Sequence, residues 1–200
     1  MPQTQIILAS SSPYRKQLLE RLHIYAQCIA PDIDEQAFAN ESPHALALRL
    51  AISKAGAVVT VTNPKSIIIG SDQVAIVNGE ILGKPHTAVQ AVLQLQKQSG
   101  QRVIFYTALC VQQGDNILSA VATTEVVFRT LSTQEIKTYI ALEQPLDCAG
   151  SFKCEGLGIT LFEKIISDDP SALIGLPLIK TAQFLRELGV NPLLQNQPKN

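Results

Sequence analysis

The chain reads as an α/β protein with a mixed, twisted sheet and flanking helices. Short continuous apolar runs of strand length, QIILA near the start and KSIIIGS in the 60s, alternate with stretches of helical periodicity. Helix caps and turn residues separate these stretches at regular intervals. An Asn-Gly pair and a Gly-Asp-Asn triplet mark hairpins, so antiparallel pairs join a sheet that strand–helix alternation makes partly parallel.

The elements follow in order. Gln5–Ala9 is a buried first strand. Ser12 caps the next helix and Pro13 suits its first turn, which needs no N–H there; Leu18, Leu19 and Leu22 form its apolar stripe. Ser42-Pro43 opens a longer helix to about Val59. Lys65–Ser71 is expected as a central strand ending near its glycine, followed by a QVAIV strand, the Asn78-Gly79 turn and EIL. Thr87 caps a helix with apolar positions Ala88, Ala91, Val92 and Leu95, ended by Gly100. Two long strands, Arg102–Gln112 and Leu118–Phe128, flank the Gly114-Asp115-Asn116 turn. Ser132 caps a helix to about Leu142, Gly158–Ile166 reads as a strand, and Pro177–Leu188 as the last helix. With no repeat or flexible linker, residues 1–200 form one expected domain with a polar tail, 195–200, that frays.

Bulk composition narrows the function. A net charge of −1, from 16 basic and 17 acidic residues, lacks the basic excess of a nucleic-acid or anionic-membrane binder. The cysteines Cys28, Cys110, Cys148 and Cys154 form no CxxC pair and are expected to be reduced and mostly buried. No signal peptide and no apolar run of the ~20 residues a membrane helix needs is present, so a cytoplasmic protein is expected.

Four segments place small or charged residues where a buried strand is expected to end, the usual ligand position in α/β folds. Ser10 to Lys16 combines hydroxyls and a helix N-terminus with Arg15 and Lys16; cations in a first turn are unfavourable unless an anion joins them. Asp72, after IIIG, can bind a divalent cation or take a proton from water, or simply bond its own backbone in a turn. Lys84, between Gly83 and Pro85, is a point charge suited to phosphate or an ordinary surface lysine. Gly150 to Gly156 is the fourth segment. Elsewhere, Glu35 follows Asp34 in an acidic stretch, and Lys54 interrupts an apolar helix, where it either snorkels or meets an anion. A GxxxxGK phosphate loop, GxGxxG, GxSxG and HExxH are all absent from the chain.

The motifs LASSSPYR (8–15), IDE (33–35), SKA (53–55), GSDQ (70–73), GKP (83–85), AGSFKCEG (149–156) and DPSALIGLP (169–177) occur in order across nearly the whole chain. In this the chain resembles the Maf family of nucleotide pyrophosphatases. The resemblance implies a Maf/ITPase-like fold of two lobes around a central nucleotide-binding cleft. It implies attack of water on the α-phosphorus of a nucleoside triphosphate, release of pyrophosphate, and a divalent cation, Mg²⁺ or Mn²⁺. Asp72 would be the catalytic base or a metal ligand, Glu35 would help hold the metal, and Ser10, Arg15, Lys54 and Lys84 would contact phosphate. A homodimer is also implied.

Where dTTP/UTP-type members usually carry SPRR, GSDT and IQG, this chain has SPYR, GSDQ and CEG. These departures resemble the YceF-type subfamily, with 7-methyl-GTP as the implied substrate and Tyr14, Gln73 and Glu155 as the deciding residues. N7-methylation makes the guanine ring cationic, which an aromatic face and a carboxylate both favour. Turnover of dTTP, UTP or another non-standard nucleotide is one rival reading; a nucleotide-binding regulator of cell division with weak turnover is another. The family often has HTG or YTG after the middle strand, and here Tyr106-Thr107-Ala108 stands instead, which leaves Thr107 without a site role.

Overall fold

The structure is a computed structural model that describes residues 4–195. Seven strands form one mixed sheet: β1 (Ile6–Ala9), β2 (Gln27–Cys28), β3 (Ile67–Val77), β4 (Glu80–Leu82), β5 (Arg102–Gln113), β6 (Asn116–Phe128) and β7 (Phe162–Ser167). Their order is β2-β1-β3-β5-β6-β7, with β4 paired to β3. β1 lies parallel to both β2 and β3, while β3–β4 and β6–β7 are antiparallel. The helices are α1 (Pro13–Glu20), α2 (Pro43–Val59), α3 (Ala88–Gln98), α4 (Thr133–Glu143), α5 (Leu178–Glu187) and α6 (Pro192–Gln195). The expected mixed α/β fold is therefore observed.

Local chemistry accounts for four helix starts and one hairpin turn. Ser12, Ser42, Thr87 and Ser132 each accept a first-turn N–H of the helix they open. At Ser132, Glu135 reaches back to the cap N–H and completes a capping box. Asn78 (φ 50°) and Gly79 (φ 81°) are both left-handed, as the tight β3–β4 hairpin requires.

Chain contacts divide the molecule into two compact units. The first comprises the described residues up to Asp72, Thr107–Ala122 and those from Asp169 on; the second comprises Gln73–Tyr106 and Thr123–Asp168. In the first unit, Ile6 and Leu8, Ile67 and Ile69, and Leu109 and Val111 alternate along three strands and so share one sheet face. They bury themselves with Leu18 and Leu19 of α1 and with Phe184 and Leu185 of α5. In the second unit Phe105, Phe128, Phe152 and Phe162 pack edge to face, with ring centroids 4.9–5.6 Å apart.

Several expectations are corrected. The strand expected to stop near Gly70 continues to Val77 as one element, so Asp72 sits inside β3 and not at a strand end. Gly70 marks a close approach, not a turn. A Cβ there would lie 2.3 Å from the Ala51 carbonyl oxygen of α2. The strand expected over Gly158–Ile166 begins only at Phe162, because Leu157–Leu161 forms a 3-10 turn. Gly158 presses against the Lys153 carbonyl there, where a Cβ would come within 2.3 Å. Of the cysteines, all free thiols, only Cys110 is fully buried; Cys148 and Cys154 are half-buried and Cys28 is exposed. β2 and α6, of two and four residues, are too short for periodicity to reveal. Of the tail expected to fray, 196–200 lies outside the described residues. Among the described residues no helix is long and apolar enough to cross a membrane.

Candidate active site

Residue parity along β3 separates two roles. Asp72 is in step with Ile68 and Gly70 and faces α2; Ser71 is in step with Ile67 and Ile69 and faces the α1–α5 side. On the α2 side, the Lys54 ammonium donates to Asp72 Oδ1 at 2.6 Å and pairs with Glu35 Oε1 at 2.7 Å. Lys54 and Asp72 are buried at 7% and 8% exposure, whereas the Glu35 side chain is 60% exposed. Lys54 does not snorkel; it bridges a buried and an open carboxylate.

On the other side, the Ser71 hydroxyl lies 2.7 Å from the Ala108 carbonyl oxygen and 3.0 Å from that of Gly175. The Gly175 carbonyl also accepts from Arg15 Nε at 2.9 Å. Arg15 Nη1 donates to Ser10 Oγ at 3.2 Å, and the same oxygen accepts the Ser12 N–H at 3.1 Å. Arg15 is thus turned inward across the serine turn, while Lys16 lies on the surface, 3.9 Å from Glu20. No acidic residue occupies the first turn of α1 to balance Arg15. Burial lowers the guanidinium pKa from its ordinary value, and the charges of Asp72 and Glu35 oppose this only in part. Arginine stays protonated through such a shift, so a fixed cation stands at the mouth of the α1 turn.

The loop that presents Gly175 has its own anchor, which sequence reasoning left without a role. Asp169, buried at 4% exposure, accepts from the Ser171 N–H at 3.0 Å, from its hydroxyl, and from Ile179 N–H at 2.7 Å at the start of α5. The Thr107 hydroxyl donates to the Ala172 carbonyl at 2.9 Å. An Asp-Pro-Ser run just before a helix start is a capping pattern, the one signal that marked this loop.

The first unit contains Ser10, Arg15, Glu35, Lys54 and Asp72 as two contact groups, Glu35 and Asp72 on Lys54 and Ser10 on Arg15, with Tyr14 half-buried next to Arg15 in the chain. Gln73, Lys84 and Glu155 belong to the second unit; Gln73 is half-buried, and Lys84 and Glu155 are exposed. Among the described residues no group of three or more His, Cys, Asp or Glu side chains is placed to hold a metal. The Asp72 and Glu35 oxygens nevertheless converge on one cation, the Lys54 ammonium. A pair of hard oxygen donors fits Mg²⁺ or Mn²⁺, which bind through one or two carboxylates and complete their shell with water and substrate phosphate.

The chain matches the family described as "Maf-like protein" over residues 5–188. It is 50% identical over 192 residues to a protein of Colwellia psychrerythraea named 7-methyl-GTP pyrophosphatase, covering 95% of this chain and 96% of the relative. Proteins of the same name from Xanthomonas axonopodis pv. citri and a Polaromonas species are 51% and 49% identical. Each match covers 92% of this chain, with 97% and 85% of the respective relative. A solved structure of the Staphylococcus aureus Ham1 protein aligns with 62% of this chain and 72% of its own at 16% identity and a TM-score of 0.46, too partial a likeness to carry function. Matched over residues 5–188 and about half identical to relatives along nine-tenths of its length, the chain belongs to the Maf family.

Proposed function

We propose that the chain hydrolyses 7-methyl-GTP to 7-methyl-GMP and pyrophosphate. The observation that carries the chemistry is the buried Lys54–Asp72 pair with Glu35 on the same ammonium. The relatives' shared name supports the substrate.

The Lys54–Asp72–Glu35 group and Arg15 together carry two cations and two carboxylates, so their charges sum to about zero. A triphosphate brings about four negative charges, which a neutral set of side chains does not balance. A divalent cation held by Glu35 and Asp72 would supply the missing positive charge and neutralise the phosphate oxygens. When a triphosphate binds, Lys54 exchanges its carboxylate contacts for a phosphoryl oxygen, which frees Asp72 Oδ1. Asp72 takes a proton from water as its oxygen bonds to the α-phosphorus, and the bridging P–O bond breaks to release pyrophosphate. Ser10 and Arg15 at the α1 turn, and Lys84 of the GKP motif, are taken as phosphate ligands that stabilise charge as it builds in the transition state.

In this reading Tyr14 stacks on the cationic methylated ring, Glu155 accepts from the guanine N1–H and amino group, and Gln73 both donates and accepts. The cytoplasm is taken as the site of action of this nucleoside triphosphatase, and a homodimer as the assembly that the family resemblance implies.

The test is pyrophosphate release from a panel of ordinary and methylated triphosphates, with and without Mg²⁺ and Mn²⁺. The expected result is metal-dependent turnover that favours 7-methyl-GTP. Asp72→Asn should lower it by about 10²–10⁴-fold, the range of a lost general base. Unchanged release from Asp72→Asn removes the base assignment, and a preference for dTTP or UTP removes the substrate.

A further inference from the structure

Between β2 and α2, residues 29–42 contain no helix or strand, yet they deliver Glu35 to within 2.7 Å of Lys54. A loop of that length without internal structure needs an external hold if it is to keep one side chain in register. Arg49 of α2 provides it. Its Nε and one terminal nitrogen donate to the two Glu41 carboxylate oxygens at 2.7 and 2.8 Å, a bidentate fork. The same terminal nitrogen donates to the Gln36 carbonyl at 2.8 Å, one residue past Glu35. The guanidinium carbon stands 4.0 Å from the centroid of the Phe38 ring.

Other contacts close the arrangement. Glu41 Oε2 also accepts the Phe38 N–H at 3.0 Å, and Asp34 Oδ1 accepts the Gln36 N–H at 2.9 Å. The Glu41 side chain is only 9% exposed, although it sits in an irregular loop. The hydrogen bond from Arg49 is the main reason its carboxyl is held at about 2, so the fork remains charged at any working pH. Arg49 and Lys54 lie on one helix about one and a half turns apart. One rigid element therefore fixes the loop and receives the carboxylate that the loop carries.

We propose that Arg49 is a positioning residue for Glu35: its clamp on Glu41 and the Gln36 carbonyl sets the loop so that Glu35 stands beside Asp72 to share a divalent cation. This rests on the reading of Glu35 and Asp72 as cation ligands. Lysine cannot replace arginine here, because a compact ammonium cannot fork to Glu41, bond the Gln36 carbonyl and lie over Phe38 at once.

The experiment titrates Mn²⁺ into nucleotide-free protein at submillimolar concentration and follows the free ion by electron paramagnetic resonance. Wild type is compared with Arg49→Lys, Glu41→Gln and Glu35→Gln. Arg49→Lys is expected to raise the Mn²⁺ Kd about 10-fold, the low end of what supporting residues around a metal contribute. Hydrogen exchange at the Gln36 and Phe38 amides should quicken in the same variant, while the nucleotide KM at saturating Mn²⁺ stays at the wild-type value. Glu41→Gln alters the clamp from the loop side, leaves α2 untouched, and should shift Kd and exchange the same way. If Glu35→Gln leaves the Mn²⁺ Kd unchanged, the cation-ligand reading is wrong and the proposal goes with it. If Glu35→Gln weakens Mn²⁺ but both clamp variants keep wild-type Kd and exchange, the clamp alone is refuted. A rise in nucleotide KM matching the rise in Kd would point to general loss of site structure and would also overturn it.

Discussion

Gly70→Ala places one methyl group where β3 meets α2, and its effect can be worked from the geometry. The new Cβ would lie 2.3 Å from the Ala51 carbonyl oxygen, 2.8 Å from the Ala55 nitrogen and 3.0 Å from the Ala55 Cβ. The two closest atoms are helix backbone, so no side-chain rotation relieves the clash and α2 must move off the sheet. Overpacking costs roughly 1–3 kcal/mol, and a backbone clash this close belongs at about 3. At about 2–4 °C per kcal/mol for a chain of this size, the melting midpoint should fall by about 6–12 °C. The same displacement pulls Lys54 from Asp72, now at 2.6 Å, so turnover should fall even below the melt. Gly56→Ala is the control. It lies in α2 with nothing within 4 Å of its Cβ position, so the better helix former should stabilise by about 0.5–1 kcal/mol. Thermal melts followed by circular dichroism read both. A Gly70→Ala midpoint within about 2 °C of wild type would refute the close-approach account of this glycine.

Two further predictions rest on particular side chains. Hydrogen bonds from the Ser132 backbone and hydroxyl, then from Arg129, hold the Glu135 carboxyl down at about 2. A folded-state pKa below the unfolded value stabilises the protein above the ordinary carboxylate range, and that stabilisation is lost as pH falls toward about 2. The melting difference between wild type and Glu135→Gln should therefore hold above about pH 5 and narrow as pH drops from there toward about 2; a difference constant with pH would count against the capping-box account. For substrate choice, Tyr14→Arg combined with Glu155→Gln should reduce kcat/KM for 7-methyl-GTP more than for UTP. Equal losses would show that these side chains do not read the methylated ring.

The physics legible in the sequence is short-range. Ser12, Ser42, Thr87 and Ser132 cap helices through bonds to residues three positions on, so four helix starts were readable from local spacing alone. The Asn78-Gly79 hairpin was readable for the same reason, since both residues tolerate the left-handed backbone it needs. The motifs carried the family, because their order along the chain survives without knowledge of contacts. Tertiary structure alone decided what each charge meets. Whether Gly70 turns the strand or seats a helix depends on α2, and that placement keeps Asp72 inside β3. The sequence left Lys54 open between solvent and an anion; the fold brings it carboxylates from residues 35 and 72, on a loop and a strand respectively. The hold of Gly175 on Arg15 and of Arg49 on the Glu35 loop have no local signature, because backbone carbonyls look alike in sequence and only packing brings one to a guanidinium.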